Sequence, residues 1–169
     1  MTKRLFSRWT LYFCLSLLAG CAGTQNNKNL LDSEKNTTHK LSKDEKTNLK
    51  KIHSVYSSWH GVPYKYGGTS RRGLDCSSFV QKVYKNAFNI NLPRTTKQQV
   101  KLGRWIPEET SKVGDLVFFK TGRNTRHVGV YIGNGKFVDS ASSSGVTESS
   151  LDSYFWRSHF WQFRRVAPI

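Results

Sequence analysis

Asp75-Cys76-Ser77-Ser78 is the stretch of this chain best suited to covalent chemistry. Asp75 is a good helix N-cap, which sets Cys76 in a first helical turn, where the macrodipole and amides without intrahelical partners favour a thiolate. The same amides could donate to the oxyanion formed when that sulfur attacks a carbonyl. Asp75 pushes the other way, because a nearby carboxylate disfavours a second negative charge, so a cationic partner such as histidine is called for. Five histidines are available. His39 lies in polar linker sequence, His53 and His60 on a helical stretch and His159 among aromatics, and each reads as a surface or packed residue. His127 differs, because it opens the strand-like run His127-Val128-Gly129-Val130-Tyr131-Ile132, with a Gly133-Asn134-Gly135 turn and Phe137-Val138-Asp139 behind it.

Whether Asp139 can meet His127 depends on register. A two-residue Asn134-Gly135 hairpin would send the two side chains to opposite faces of the sheet. A three-residue turn, with Gly135 left-handed, shifts the pairing by one. Asp139 then lies opposite Gly129 and diagonal to His127, about 7–8 Å away between backbones and within side-chain reach. The second arrangement is the one expected.

The elements that must hold these groups are legible. Ser42-Lys43-Asp44-Glu45 is a capping box, and Leu49, Ile52, Tyr56 and Trp59 recur at helical spacing until Gly61 and Pro63. A second helix fits Cys76 to about Ala87, and a short third follows Thr95, with Gln98 completing another capping box. Leu116-Phe119, His127-Ile132, Phe137-Ala141 and Phe160-Val166 read as strands between Gly-containing turns. Helices first and strands later imply an α+β fold, an antiparallel sheet with helices on one side.

The chain has 169 residues, with 37% apolar and 13% aromatic residues, too hydrophobic for wholly disordered sequence. It has no apolar run of about 20 residues for a membrane-spanning helix, and three cysteines exclude a disulfide-knit miniature fold. Residues 1–20 have the order of a secretory signal: Lys3, Arg4 and Arg8, a short apolar run, then small residues. Residues 21–41, rich in Asn, Thr and Lys, read as a flexible tether of about 25 Å root-mean-square reach. Residues 42–169 form the domain. Cys14 leaves with the signal, so a lone thiol, Cys76, is left in the mature domain once Cys21 is accounted for below. Of the +16 formal charge, the signal carries +3 and the tether +1, leaving +12 on the domain. Arg71 and Arg72 flank the cysteine loop and Arg126 precedes His127, so these three are candidates to hold substrate carboxylates. Most other cations read as solvated surface. Neither paired cysteines nor a His-Glu-x-x-His spacing suggests zinc, and no metal or other cofactor is expected.

Tyr64-Lys65-Tyr66-Gly67-Gly68, Asp75-Cys76-Ser77, Gly114-Asp115-Leu116-Val117-Phe118-Phe119 and His127 through Gly133 resemble the ordered motifs of the NlpC family, bacterial cell-wall cysteine peptidases with a papain-like α+β core. The resemblance covers roughly residues 45–169. It implies Cys76 as nucleophile, His127 as general base, Tyr64 as a contributor to the oxyanion site and Asp139 at the position that orients the imidazole, where many relatives carry histidine. Ser78 stands where glycine is common, and Ser140 where alanine is usual. The implied substrate is the peptidoglycan stem peptide, typically the bond between γ-D-glutamyl and meso-diaminopimelate. Leu18-Ala19-Gly20-Cys21 resembles a lipoprotein lipobox, which implies acylation of Cys21 and, with Ala22 next, an anchor on the periplasmic face of a Gram-negative outer membrane. A monomer is expected, and export argues against nucleic acid as a partner. Two alternatives stand beside this reading: a non-catalytic wall-binding lipoprotein in which Ser78 and Asp139 have damaged the site, and acyl or amide transfer through the same thioester.

Overall fold

A computed structural model describes residues 40–169, so the expected signal, the expected lipidation site at Cys21 and nearly all of the expected tether lie outside the described residues. The element order is α1 (Lys43–Trp59), β1 (Thr69–Ser70), β2 (Gly73–Leu74), α2 (Cys76–Phe88), α3 (Thr96–Gln99), β3 (Arg104–Ile106), a 3-10 turn (Glu108–Thr110), β4 (Leu116–Lys120), β5 (Arg126–Gly133), β6 (Lys136–Ala141), β7 (Gly145–Ser150), α4 (Tyr154–His159) and β8 (Phe160–Arg165). The protein is α+β, with its helices entering first and a six-stranded antiparallel sheet in the order β3-β8-β4-β5-β6-β7.

All three expected helix starts are present; the capping boxes expected at Ser42–Glu45 and Thr95–Gln98 form, and the expected Asp75 N-cap proves to be a third box, with Ser78. Each box supplies acceptors to first-turn amides that the helix itself cannot satisfy. Helix α2 buries Phe79, Val80, Val83 and Tyr84 against Leu116, Phe118, Val128, Val130 and Val138 of the sheet. The other sheet face carries a smaller core of Val117, Phe119, Phe137, Leu151 and Phe163, with Trp156 of α4 packed on it. Helices therefore touch both faces rather than one. Six elements escaped the sequence reading: β1, β2, β3, the 3-10 turn, β7 and α4. They are short, and β3 and β7 are edge strands, so no periodic apolar pattern marks them.

The register of β5 and β6 is the one that matters for chemistry. Val130 pairs with Val138 and Tyr131 with Phe137, which puts Asp139 across from Gly129 as expected. The device differs from the expected three-residue turn. Asn134 (φ 51°) and Gly135 (φ 68°) form a two-residue turn closing Gly133 onto Lys136, and the register shifts between Tyr131 and Gly133. That irregularity adds one residue to β5 and moves the strand by the same single step. Gly129 is required here for space: a Cβ would lie 2.5 Å from the Phe137 ring.

Asp115 of the Gly114-Asp115 motif is wholly buried and accepts from Arg165 Nε (2.8 Å) and Nη2 (2.7 Å) and from the Lys112 amide. It locks the start of β4 to the end of β8, a structural task.

Candidate active site

Cys76 is the first residue of α2, and three tethers fix the segment before it. Leu74 pairs with Tyr64 in an isolated bridge and donates its amide to Pro63. The Ser140 hydroxyl of β6 donates to the Leu74 carbonyl at 3.0 Å, so this serine ties the cysteine loop to the sheet. The Ser78 hydroxyl, in turn, donates to Gly68 O at 2.6 Å and accepts the Asp75 amide at 3.1 Å. Ser78 thus ties the start of α2 to the Gly68 segment.

His127 brings its ring to the Cys76 sulfur from β5, and its Nε2 lies 2.7 Å from Asp139 Oδ2. With Nε2 engaged, Nδ1 is the nitrogen left for sulfur. Cys76 is 7% exposed, His127 8% and Asp139 0%. Burial by itself would raise the Cys76 thiol. Hydrogen bonding and charge from His127, helped by Thr96 and the Val128 amide, outweigh that and hold it below its ordinary range. Burial likewise opposes charge on His127, but Asp139 and Cys76 raise its pKa well above that of free histidine. Both shifts favour a thiolate–imidazolium pair at neutral pH.

Several contributors were not foreseen. Arg94 grips Asp75 with both arms of its guanidinium, Nη1 to Oδ1 at 3.0 Å and Nη2 to Oδ2 at 2.5 Å, and also donates to Ser77 Oγ. The carboxylate that opposed a thiolate is thereby neutralised. Thr96 Oγ1 lies 3.7 Å from the sulfur. Trp156 covers the imidazole at 4.8 Å between ring centres, tilted 33°, and Phe119 lies 6.1 Å away. Ser149 of β7 donates to the second Asp139 oxygen at 3.0 Å. None is marked by local spacing. Arg94 follows Cys76 by a loop and a helix, and Ser149 and Trp156 belong to elements without a sequence signature.

Tyr64 lines the cleft on both sides of Cys76. Burial, with the charges of Cys76 and Asp75, raises its pKa, so the phenol stays protonated and able to donate. Of the three flagged arginines, Arg126 lines the cleft. Arg71 and Arg72 are not brought there: Arg71 donates to Ser58 O at 2.8 Å and stacks 4.6 Å over Trp59, and Arg72 is exposed on the β1–β2 turn. The cation–π contact and the carbonyl bond hold Arg71 against α1. His53 and His60 are exposed against Tyr56, and His159 packs on Phe155, away from the sulfur.

Two substitutions probe the support of this site. Arg94→Ala leaves a largely buried carboxylate short of its cation and should cost about 2 kcal/mol of stability, given that the arginine is partly exposed. It should also raise the Cys76 pKa, so the acid limb of thiol alkylation moves to higher pH; an unmoved limb would deny Arg94 any electrostatic part. Ser149→Ala removes one hydrogen bond to an ionised group and should lower kcat about fivefold. Ser149→Thr keeps the hydroxyl and should restore the rate, which a merely structural role for the strand would not require.

Residues 61–165 match the NlpC/P60 family. The chain is 48% identical over 117 residues to the protein named "Probable endopeptidase NlpC" of Escherichia coli K12, covering 68% of this chain and 76% of that one. It is 37% identical over 163 residues to "Murein DD-endopeptidase MepS/Murein LD-carboxypeptidase" of the same strain, covering 89% and 86%. Among solved structures, a lipoprotein-like NLP/P60 family protein from Staphylococcus aureus Mu50 superposes with a TM-score of 0.66 at 30% identity, over 79% of this chain but only 45% of that one. The chain belongs to the NlpC/P60 family.

Proposed function

We propose that the chain is a lipid-anchored cysteine endopeptidase that hydrolyses amide bonds in peptidoglycan stem peptides, at γ-D-glutamyl–meso-diaminopimelate. Peptidase activity toward peptidoglycan rests on family membership and on the named murein endopeptidases similar to it. The residue roles are our own reading, and one observation carries them: Cys76 and His127 line one cleft and interact there, with His127 Nε2 2.7 Å from the buried Asp139 carboxylate behind it.

The Cys76 thiolate attacks the scissile carbonyl, and the resulting oxyanion sits toward the Tyr64 hydroxyl and the first amides of α2. His127 gives its proton to the departing amine, and a thioester is left on Cys76. His127, now neutral, takes a proton from water as the water attacks the thioester. Collapse frees a new carboxylate and regenerates the thiolate–imidazolium pair. Asp139 holds the tautomer and stabilises the imidazolium, the task given to aspartate in hydrolytic triads. Acylation of Cys21 would keep the domain on the periplasmic face of the outer membrane, with residues 21–41 as tether.

Mass spectrometry of muropeptides after digestion tests this. Hydrolysis yields fragments ending in a free γ-glutamyl carboxylate and a free diaminopimelate amine. Products lacking the new carboxylate would mean transfer, and no released fragment would favour a wall-binding protein. Rapid alkylation of Cys76 at neutral pH is the matching chemical expectation.

A further inference from the structure

The cleft has two arms that meet at Cys76 and Tyr64, and they differ in chemistry. One arm is lined mainly by hydroxyls and rings, among them Ser142, Ser143, Ser144, Phe155 and Trp156, with Arg126 shared between the two arms and His127 beside it. The other is cationic, with Arg94, Lys97 and Arg126 on its walls. The single acidic residue lining this second arm is Asp75, and Arg94 holds both its oxygens. A further groove adjoins it, sharing Lys97, Asn124 and Arg126 and adding Lys101 and Trp161. Lys120 lies 4.6 Å and Arg126 5.4 Å from the Trp161 ring centre. Lys97 and Lys101 are exposed, and no ion pair involving either occurs among the described residues. A run of cations with no acid to answer it is a site for an anion of the substrate.

We infer that this cationic arm, through Lys97, Lys101 and Arg126, binds a free carboxylate of the stem peptide, and that the enzyme discriminates against peptides in which that carboxylate is a carboxamide. The hydroxyl and aromatic arm takes the uncharged remainder. This deepens the proposed endopeptidase reading and rests on it for the identity of the substrate. Arg126 is half-buried and donates to Gly122 and Thr125 carbonyls, so its position is set by the 122–125 turn, whereas the two lysines are exposed.

Two synthetic stem peptides, identical except for carboxylate or carboxamide on the glutamyl unit, separate the possibilities. Hydrolysis is measured with wild type and with Lys97→Glu/Lys101→Glu, and binding is measured calorimetrically with Cys76→Ala carrying the same lysine pair or its reversal. The expected result is about tenfold weaker binding and about tenfold higher KM for the carboxylate peptide on charge reversal, with kcat within about twofold and the carboxamide peptide little affected. Raising salt should narrow the difference between the peptides in the parent protein. Equal affinity of the two peptides for Cys76→Ala, or an equal effect of reversal on both, overturns the inference even if hydrolysis proceeds. Discrimination in binding without any hydrolysis by wild type would instead leave the anion site standing and remove the endopeptidase reading.

Discussion

Cys76→Ala is expected to abolish release of stem-peptide fragments from purified sacculi, a loss of about 10³-fold or more. In the proposed mechanism the sulfur forms the bond that defines the intermediate, and Thr96, the hydroxyl beside it at 3.7 Å, has no base of its own to replace it. The substitution removes one buried atom at a helix N-terminus whose cap, Asp75, is untouched, so folding should persist. Circular dichroism and thermal midpoint would establish that, and fragment release at a rate near wild type would exclude a Cys76 nucleophile.

Asp139→Asn is expected to lower kcat by about 10²- to 10⁴-fold with little change in KM. The amide is isosteric with the carboxylate and can still meet His127 Nε2 and Ser149, but it carries no charge to stabilise imidazolium. The direction of the pH effect follows from the raised His127 pKa, to which Asp139 contributes. The proposed mechanism needs protonated His127 and ionised Cys76, so activity should fall as pH rises through the histidine pKa and as pH drops through the cysteine pKa. Without Asp139, His127 loses its proton at lower pH, and the alkaline limb moves down. A less stable imidazolium also supports the thiolate less, because His127 is the chief group lowering Cys76. The acid limb should move up, and the active window should narrow from both sides. A profile of unchanged width would show that Asp139 acts by packing alone. Asp139→His should recover part of the rate but not the full width.

Capping boxes, helical spacing and strand runs are local, and they foretold α1, α2, α3 and the β4, β5, β6 and β8 strands to within a residue or two. Position at a helix start marked Cys76, and its place at the head of a strand marked His127, because both are consequences of neighbours in the chain. The face shared by His127 and Asp139 was also inferable, since a sheet has a side-chain period of two, although an irregularity in β5 and not a longer turn produces it.

Residues that meet only through the fold were out of reach. Arg94 neutralises Asp75, Ser140 anchors Leu74, Ser149 steadies Asp139 and Trp156 roofs the imidazole, each across a separation no local pattern encodes. The same holds for the charges: the chain displays twelve excess positive charges on the domain without order, and sequence proximity suggested Arg71, Arg72 and Arg126. Packing set Arg71 against Trp59, kept Arg126 on the cleft, and placed Lys97 there with Lys101 on the adjoining groove. Periodicity and capping act over a few residues and so can be read along the chain, whereas the environment of a charge depends on which distant segments close around it, and tertiary structure alone decides that.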